Sequence, residues 1–137
     1  MLKVKQIVLL WLPALLVMLA IFLVSAQPSS NLPNFAWADR VIKKGGHMVG
    51  YAFLAVLYWR VLGFRPEKRW LAWCFSVLYA VTDEFHQSFV PGRFPSVWDV
   101  LVFDNLGALV SLWLWSLYKR QRSDTLGPIV ERAKTRS

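Results

Sequence analysis

The chain reads as long apolar runs separated by short polar joints. Ile7–Ala26 continues for twenty residues without a charge, the length a helix needs to cross a bilayer core of ~30 Å. Gly45–Leu62 is a second run, with only His47 and Arg60 ionisable near its ends. Trp70–Thr82 is a third and reaches membrane length when the Asp83–Phe89 part is included. Val100–Tyr118 is the fourth, interrupted by Asp104 and Asn105. The pattern predicts an all-α, polytopic integral membrane protein: a four-transmembrane-helix bundle with spans at about 7–26, 45–62, 70–89 and 99–118. One membrane domain over 1–137 is expected, closing in a basic tail over 119–137. A soluble bundle would need polar stripes at helical spacing, and the first run has none. A signal peptide is the competing reading of that run, since Lys3 and Lys5 precede it and Val24-Ser25-Ala26 resembles a cleavage site. Its apolar length exceeds the usual signal core of about 7–15 residues, which favours a retained span.

Composition supports the pattern: 56% hydrophobic against 18% charged is too apolar for an ordinary soluble domain. The net charge of +8 would suit nucleic acid, but its distribution argues otherwise. With four spans, both termini share a side with the joint between the second and third helices. Twelve of the sixteen Lys and Arg fall there, from Lys3 and Lys5 through Arg60, Arg65, Lys68 and Arg69 to the tail. Only Arg40, Lys43, Lys44 and Arg93 lie opposite. Short-loop cations prefer the cytoplasm, so both termini are predicted cytoplasmic, in the inner (cytoplasmic) cell membrane, with membrane lipids as partners. No aromatic-interleaved basic domain is present, so no nucleic acid is expected. The acids Asp39, Asp83, Glu84, Asp99 and Asp104 gather at the outer side instead. The single Cys74 makes neither an intramolecular disulfide nor a metal site and reads as a small core residue.

The candidate chemistry concentrates in Thr82–Val100, "TDEFHQSFVPGRFPSVWDV". At about 100° per residue, Tyr79, Asp83, Glu84, His86, Gln87 and Ser88 share one arc of the third helix. Leu78, Val81, Phe85 and Phe89 oppose them, the segregation of a helix lining a cavity on one side and meeting lipid on the other. In the second helix, Lys44, His47 and Tyr51 fall on one face, and Gly46 and Gly50 form a G-x-x-x-G pair expected to admit a close helix neighbour. In the fourth, Ser96 and Asp99 have capping-box spacing. Asp104 lies inside the span, where an ionised carboxylate costs ~2.5–3.5 kcal/mol unless partnered, so it is expected to face the bundle toward Lys44, His47 or Arg93. Gly107 and Ser111 continue that edge as a small face for a neighbouring helix. Pro91-Gly92 forms a turn that holds Arg93 at the cavity mouth, where a guanidinium can bind carboxylate or phosphate in a bidentate manner.

These motifs, "DEFHQSFVPGRFPSVWDV" with the upstream "KGGHMVGY", resemble the VanZ-like family of small bacterial membrane proteins. Some members are associated with teicoplanin resistance. The resemblance runs from about Lys43 to Gly107 and singles out Lys44, His47, Tyr51, Glu84, His86, Gln87, Arg93 and Asp99. Two departures stand out. Lys43 replaces an acid the family usually carries before its histidine motif. The family's acid or amide in helix four usually follows Asp99's equivalent by four residues, whereas Asp104 follows by five and Asn105 by six.

Three functions fit. The favoured one is an outer-face polar site for an anionic, phosphate-bearing lipid or lipid-linked cell-wall precursor, linked through the resemblance to glycopeptide tolerance. Lys44 and Arg93 would contact phosphate, while Glu84, Gln87 and Asp104 would bond sugar or peptide groups, with Tyr51, Asp83 and Asn105 completing the ligand set. The second is a membrane enzyme using Glu84, His47, His86 and Asp99 as general acids and bases. No metal motif of known spacing is present, so neither metal nor other cofactor is expected. The third is a structural network that only locks the bundle. The sequence leaves the oligomeric state open.

Overall fold

In the computed structural model, residues 4–28 and 39–134 are described, and all their regular structure is helical. Lys3, Arg136 and the middle of the first polar joint lie outside the described residues. Four long helices are present among those described: α1 (Val4–Ser25), α2 (Asp39–Val61), α3 (Arg69–Gln87) and α4 (Asn105–Lys134). A 3₁₀ turn at Pro66–Lys68 leads into α3, and a π-helical turn over Asp99–Asp104 leads into α4. α1 and the continuous Asp99–Thr125 stretch are long and apolar enough to cross a membrane. α2 starts six residues before its expected bound, because the helix continues back through the polar segment containing Lys43 and Lys44. α3 stops at Gln87, where Ser88, Phe89 and Val90 pass into turns bonded back to the last helical carbonyls. α4 runs on through the basic tail to Lys134.

α2 is the central element and packs against α1, α3 and α4. Its contacts are built from small side chains: Ala14, Ala55, Ala72, Ala80 and Ala108 are all buried, together with Tyr51, Leu54, Tyr58 and Trp59 of α2 itself. The large aliphatic residues lie outside. Along α1 only Ala14 and Ser25 are buried, while Leu15, Leu16 and Leu19 are each more than half exposed. Lipid tails are as apolar as leucine, so nothing drives leucine inward, and helices approach through small residues instead. The same logic holds on α3, whose Leu78, Val81 and Phe85 form the exposed face its periodicity predicts, while Phe89, also exposed, lies in the turn beyond it.

The tightest approach is at Gly107 of α4. A Cβ placed there would overlap the Met48 carbonyl oxygen of α2. The expected G-x-x-x-G pair does not form a common contact face. Gly46 is exposed with no described neighbour against a Cβ, and Gly50 meets the Ile21 side chain of α1 at 3.3 Å. The glycine that joins two helix backbones is thus Gly107, on the small edge of the fourth helix expected to face a neighbour, and not the G-x-x-x-G pair of α2.

A Gly107→Ala substitution is therefore expected to force α2 and α4 apart and to lower stability by about 1–3 kcal/mol. Gly46→Ala should be neutral or slightly stabilising, since an exposed helical glycine gains from a Cβ. Thermal melts of the two purified variants in detergent separate these outcomes.

Candidate functional site

The polar residues meet where α2 and α4 begin and α3 ends. A cavity of about 370 Å³ lies among these ends. α2 contributes Lys43, Lys44 and His47, and α3 contributes Glu84 and Gln87 from its last turn. The joint adds Gly92, Arg93, Phe94 and Ser96, and the π turn adds Asp99, Phe103 and Asp104. The cavity thus draws on three helices and one loop.

Local backbone geometry sets each side chain in place. Gly92 takes φ +71°, a conformation that lets the Pro91-Gly92 turn reverse the chain and present Arg93. Arg93 Nη2 donates to the Val24 carbonyl at 2.7 Å and Nε to the Gln27 carbonyl at 3.1 Å. A guanidinium thereby meets the negative, donor-poor end of α1, which stabilises both partners. The Lys44 ammonium donates to Asp99 Oδ1 at 2.5 Å and lies 4.7 Å from the centre of the Phe103 ring. Glu84 accepts the Ser96 backbone N–H. The expected Ser96–Asp99 capping box is therefore not formed, because both of its groups have stronger tertiary partners: Ser96 N–H turns to Glu84, and the Asp99 carboxylate to Lys44. Charge-assisted bonds are roughly twice as strong as neutral ones, which favours this exchange.

Beneath the cavity lies a second polar layer. Asp83 is buried, and its Oδ2 accepts Ser25 Oγ from α1 at 2.8 Å and Gln87 Nε2 at 3.0 Å. Tyr51 is buried below His47, the two rings stacked with centroids 6.2 Å apart. The Tyr51 hydroxyl stands beside the Asp83 carboxylate, and Asp104 Oδ1 is buried without a hydrogen-bond partner among the described residues. Asp104 is only 3% exposed, and no bond joins it to Lys44, His47 or Arg93, the partners expected from the sequence.

Of the residues the sequence singled out, Lys44, His47, Glu84, Gln87, Arg93, Asp99 and Asp104 converge on the cavity. Tyr51 and Asp83 stand behind it. His86 does not join them: its ring packs 4.5 Å from Phe22 of α1. Ser88 is exposed and bonds the Phe85 carbonyl. Ser25 carried no sequence signal beyond its place in a cleavage-like tripeptide, yet it is the hydroxyl that holds Asp83. Phe103, the aromatic cover over Lys44, was equally unmarked within an apolar run. No group of three His, Cys, Asp or Glu side chains among the described residues is arranged to hold a metal ion. His47, Glu84 and Asp104 nonetheless bring potential acid and base groups from three elements to the cavity lining.

The family model described as VanZ/LLP1 matches residues 9–119, from the first helix to the end of the apolar part of the fourth. The chain belongs to the VanZ-like family. Neither the curated proteins nor the solved structures compared with it gave a match. With two helices able to span a bilayer, this VanZ-like chain is a membrane protein.

Family membership gives the fourth-helix spacing a meaning. In an α-helix a step of five residues turns the chain about 140° out of line, so Asp99 and Asp104 would diverge. The π turn removes that divergence. The Asn105 N–H reaches back five residues to the Val100 carbonyl, and a π turn closes over five residues where an α turn closes over four. Asp99 and Asp104 consequently both line the cavity. Asn105, the other candidate for the helix-four position, turns to α3, where its Oδ1 accepts the Trp73 indole N–H at 2.6 Å.

Two stability measurements test this geometry. A double-mutant cycle of Lys44→Met with Asp99→Asn should return a coupling of about 1 kcal/mol, the upper range for a pair that is neither fully exposed nor buried. Ser25→Ala should cost about 1–3 kcal/mol, because it strips a donor from a buried carboxylate.

Proposed function

We propose that this VanZ-like chain is a single multi-pass domain of the inner membrane, with four spans, cytoplasmic termini and the cavity at the outer face. The asymmetry of Lys and Arg supports this orientation: the cavity end holds four of the sixteen. The cavity binds the phosphate-bearing headgroup of a lipid or lipid-linked cell-envelope precursor. The observation that carries this reading is the meeting of Lys43, Lys44 and Arg93 on one wall system at the end of an otherwise apolar bundle. Cations there face headgroups, and Arg in particular matches phosphate geometry. The volume of about 370 Å³ sits at the small end of the ~300–1,000 Å³ range of ligand sites, which suits a headgroup with its acyl chains left outside among the exposed apolar side chains. Altered handling of such a precursor is how this protein would bear on glycopeptide tolerance, the property associated with some of its family.

Native mass spectrometry of the purified protein should show a retained phospholipid. Phosphatidylglycerol should bind at least about tenfold more tightly than diacylglycerol with the same chains, the difference a charge-assisted contact supplies. Arg93→Gln should erase most of that gap, with folded yield followed in parallel because Arg93 also caps α1. Equal binding of the two lipids to the unmodified protein would sink the phosphate reading.

A further inference from the structure

We infer that the ligand of this cavity carries a primary ammonium beside its phosphate, so that the site recognises an aminophospholipid headgroup such as phosphoethanolamine. The inference rests on the phosphate-binding reading above and specifies the other half of the ligand.

The lining is charge-balanced: Lys43, Lys44 and Arg93 face Glu84, Asp99 and Asp104. A purely anionic headgroup would meet three carboxylates as well as three cations, and like charges at close range are costly in a site of low dielectric. A zwitterion matches both sets. The depth of the cavity gives the direction. Asp99 is engaged by Lys44, and Glu84 by the Ser96 N–H. Asp104, which lines the cavity and is 3% exposed, has an Oδ1 with no partner among the described residues. Behind it, the Tyr51 hydroxyl and the Asp83 carboxylate lie buried side by side, with Tyr51 within electrostatic reach of both aspartates. Buried acceptors left unpaired cost more than most single interactions contribute, so the cavity floor calls for a donor-rich, positively charged group. A primary ammonium offers three N–H donors and a full charge on a short tether from a phosphate, the separation between floor and rim that a small cavity allows. A trimethylammonium has the charge and no donor, and a glycerol headgroup has donors and no charge.

That difference provides the test, using the full purified chain in mixed micelles of detergent with one added phospholipid. Phosphatidylethanolamine should bind at least about tenfold more tightly than phosphatidylcholine or phosphatidylglycerol, the gain of ammonium bonds to a buried carboxylate. Asp104→Asn, which keeps the side chain's size, and Tyr51→Phe should bring phosphatidylethanolamine down toward the other two, and Asp104→Asn should not weaken phosphatidylglycerol, which loses a like charge beside it. Equal binding of all three phospholipids to the unmodified protein overturns the ammonium assignment while the phosphate reading stands. Equal binding of diacylglycerol overturns the phosphate reading itself. A thermal shift by sodium chloride that Asp104→Asn abolishes, without any preference among the lipids, also overturns the inference and makes the floor a site for a small cation.

Discussion

Everything at the polar end of this protein depends on how closely α4 lies against α2. Gly107 sits where a Cβ would strike the Met48 carbonyl, so the two backbones are in contact rather than separated by side chains. One turn beyond that point on each helix lie Lys44 and Asp104, and beyond them Asp99. A bundle spaced by leucine side chains would hold these charges too far apart for the 2.5 Å Lys44–Asp99 bond. Packing of small residues is the means by which helices associate in lipid, and here the same packing sets the width of a polar cavity.

Placing charge at the end of an apolar bundle requires that each group find a partner before lipid surrounds it. The solution draws on every helix. Lys44 answers Asp99, the Ser96 backbone answers Glu84, and Ser25 with Gln87 answers Asp83. Arg93 lies across the carbonyls that α1 leaves open at its C-terminal end. Together, Ser25 and Arg93 make α1 part of the site's architecture although it lines none of the cavity. Asp104, at the inner side of the cavity, keeps one carboxylate oxygen without a partner among the described residues. The site is therefore satisfied at its rim and unsatisfied at its depth, which gives any bound molecule a preferred orientation.

The π turn shows how local backbone geometry can absorb a change in sequence spacing. An extra residue between two acids would swing one of them out of the cavity in a regular α-helix. Widening a single turn keeps both in place and sends Asn105 to an indole on α3 instead. Such turns are rare because their hydrogen bonding is poorer, and they persist where a side chain's direction matters.

The apolar runs, their lengths and the distribution of cations were enough to predict an all-helical chain built for a membrane. The two arcs of α3 were equally readable, because helical periodicity and the partition between lipid and polar surroundings act on each residue locally. Seven of the candidate site residues also reach one cavity: Lys44, His47, Glu84 and Gln87 from the polar sides of their helices, Arg93 from the joint, and Asp99 and Asp104 from the π turn. What the sequence could not determine is which polar groups take one another as partners. His86 shares an arc with Glu84 but packs on Phe22, and Asp99 has a capping register but bonds Lys44. Those choices depend on distances between helices, which no single helix encodes. Ser25 and the π turn show the same limit: one serine and one backbone irregularity acquire their roles only from the neighbour that tertiary packing brings against them.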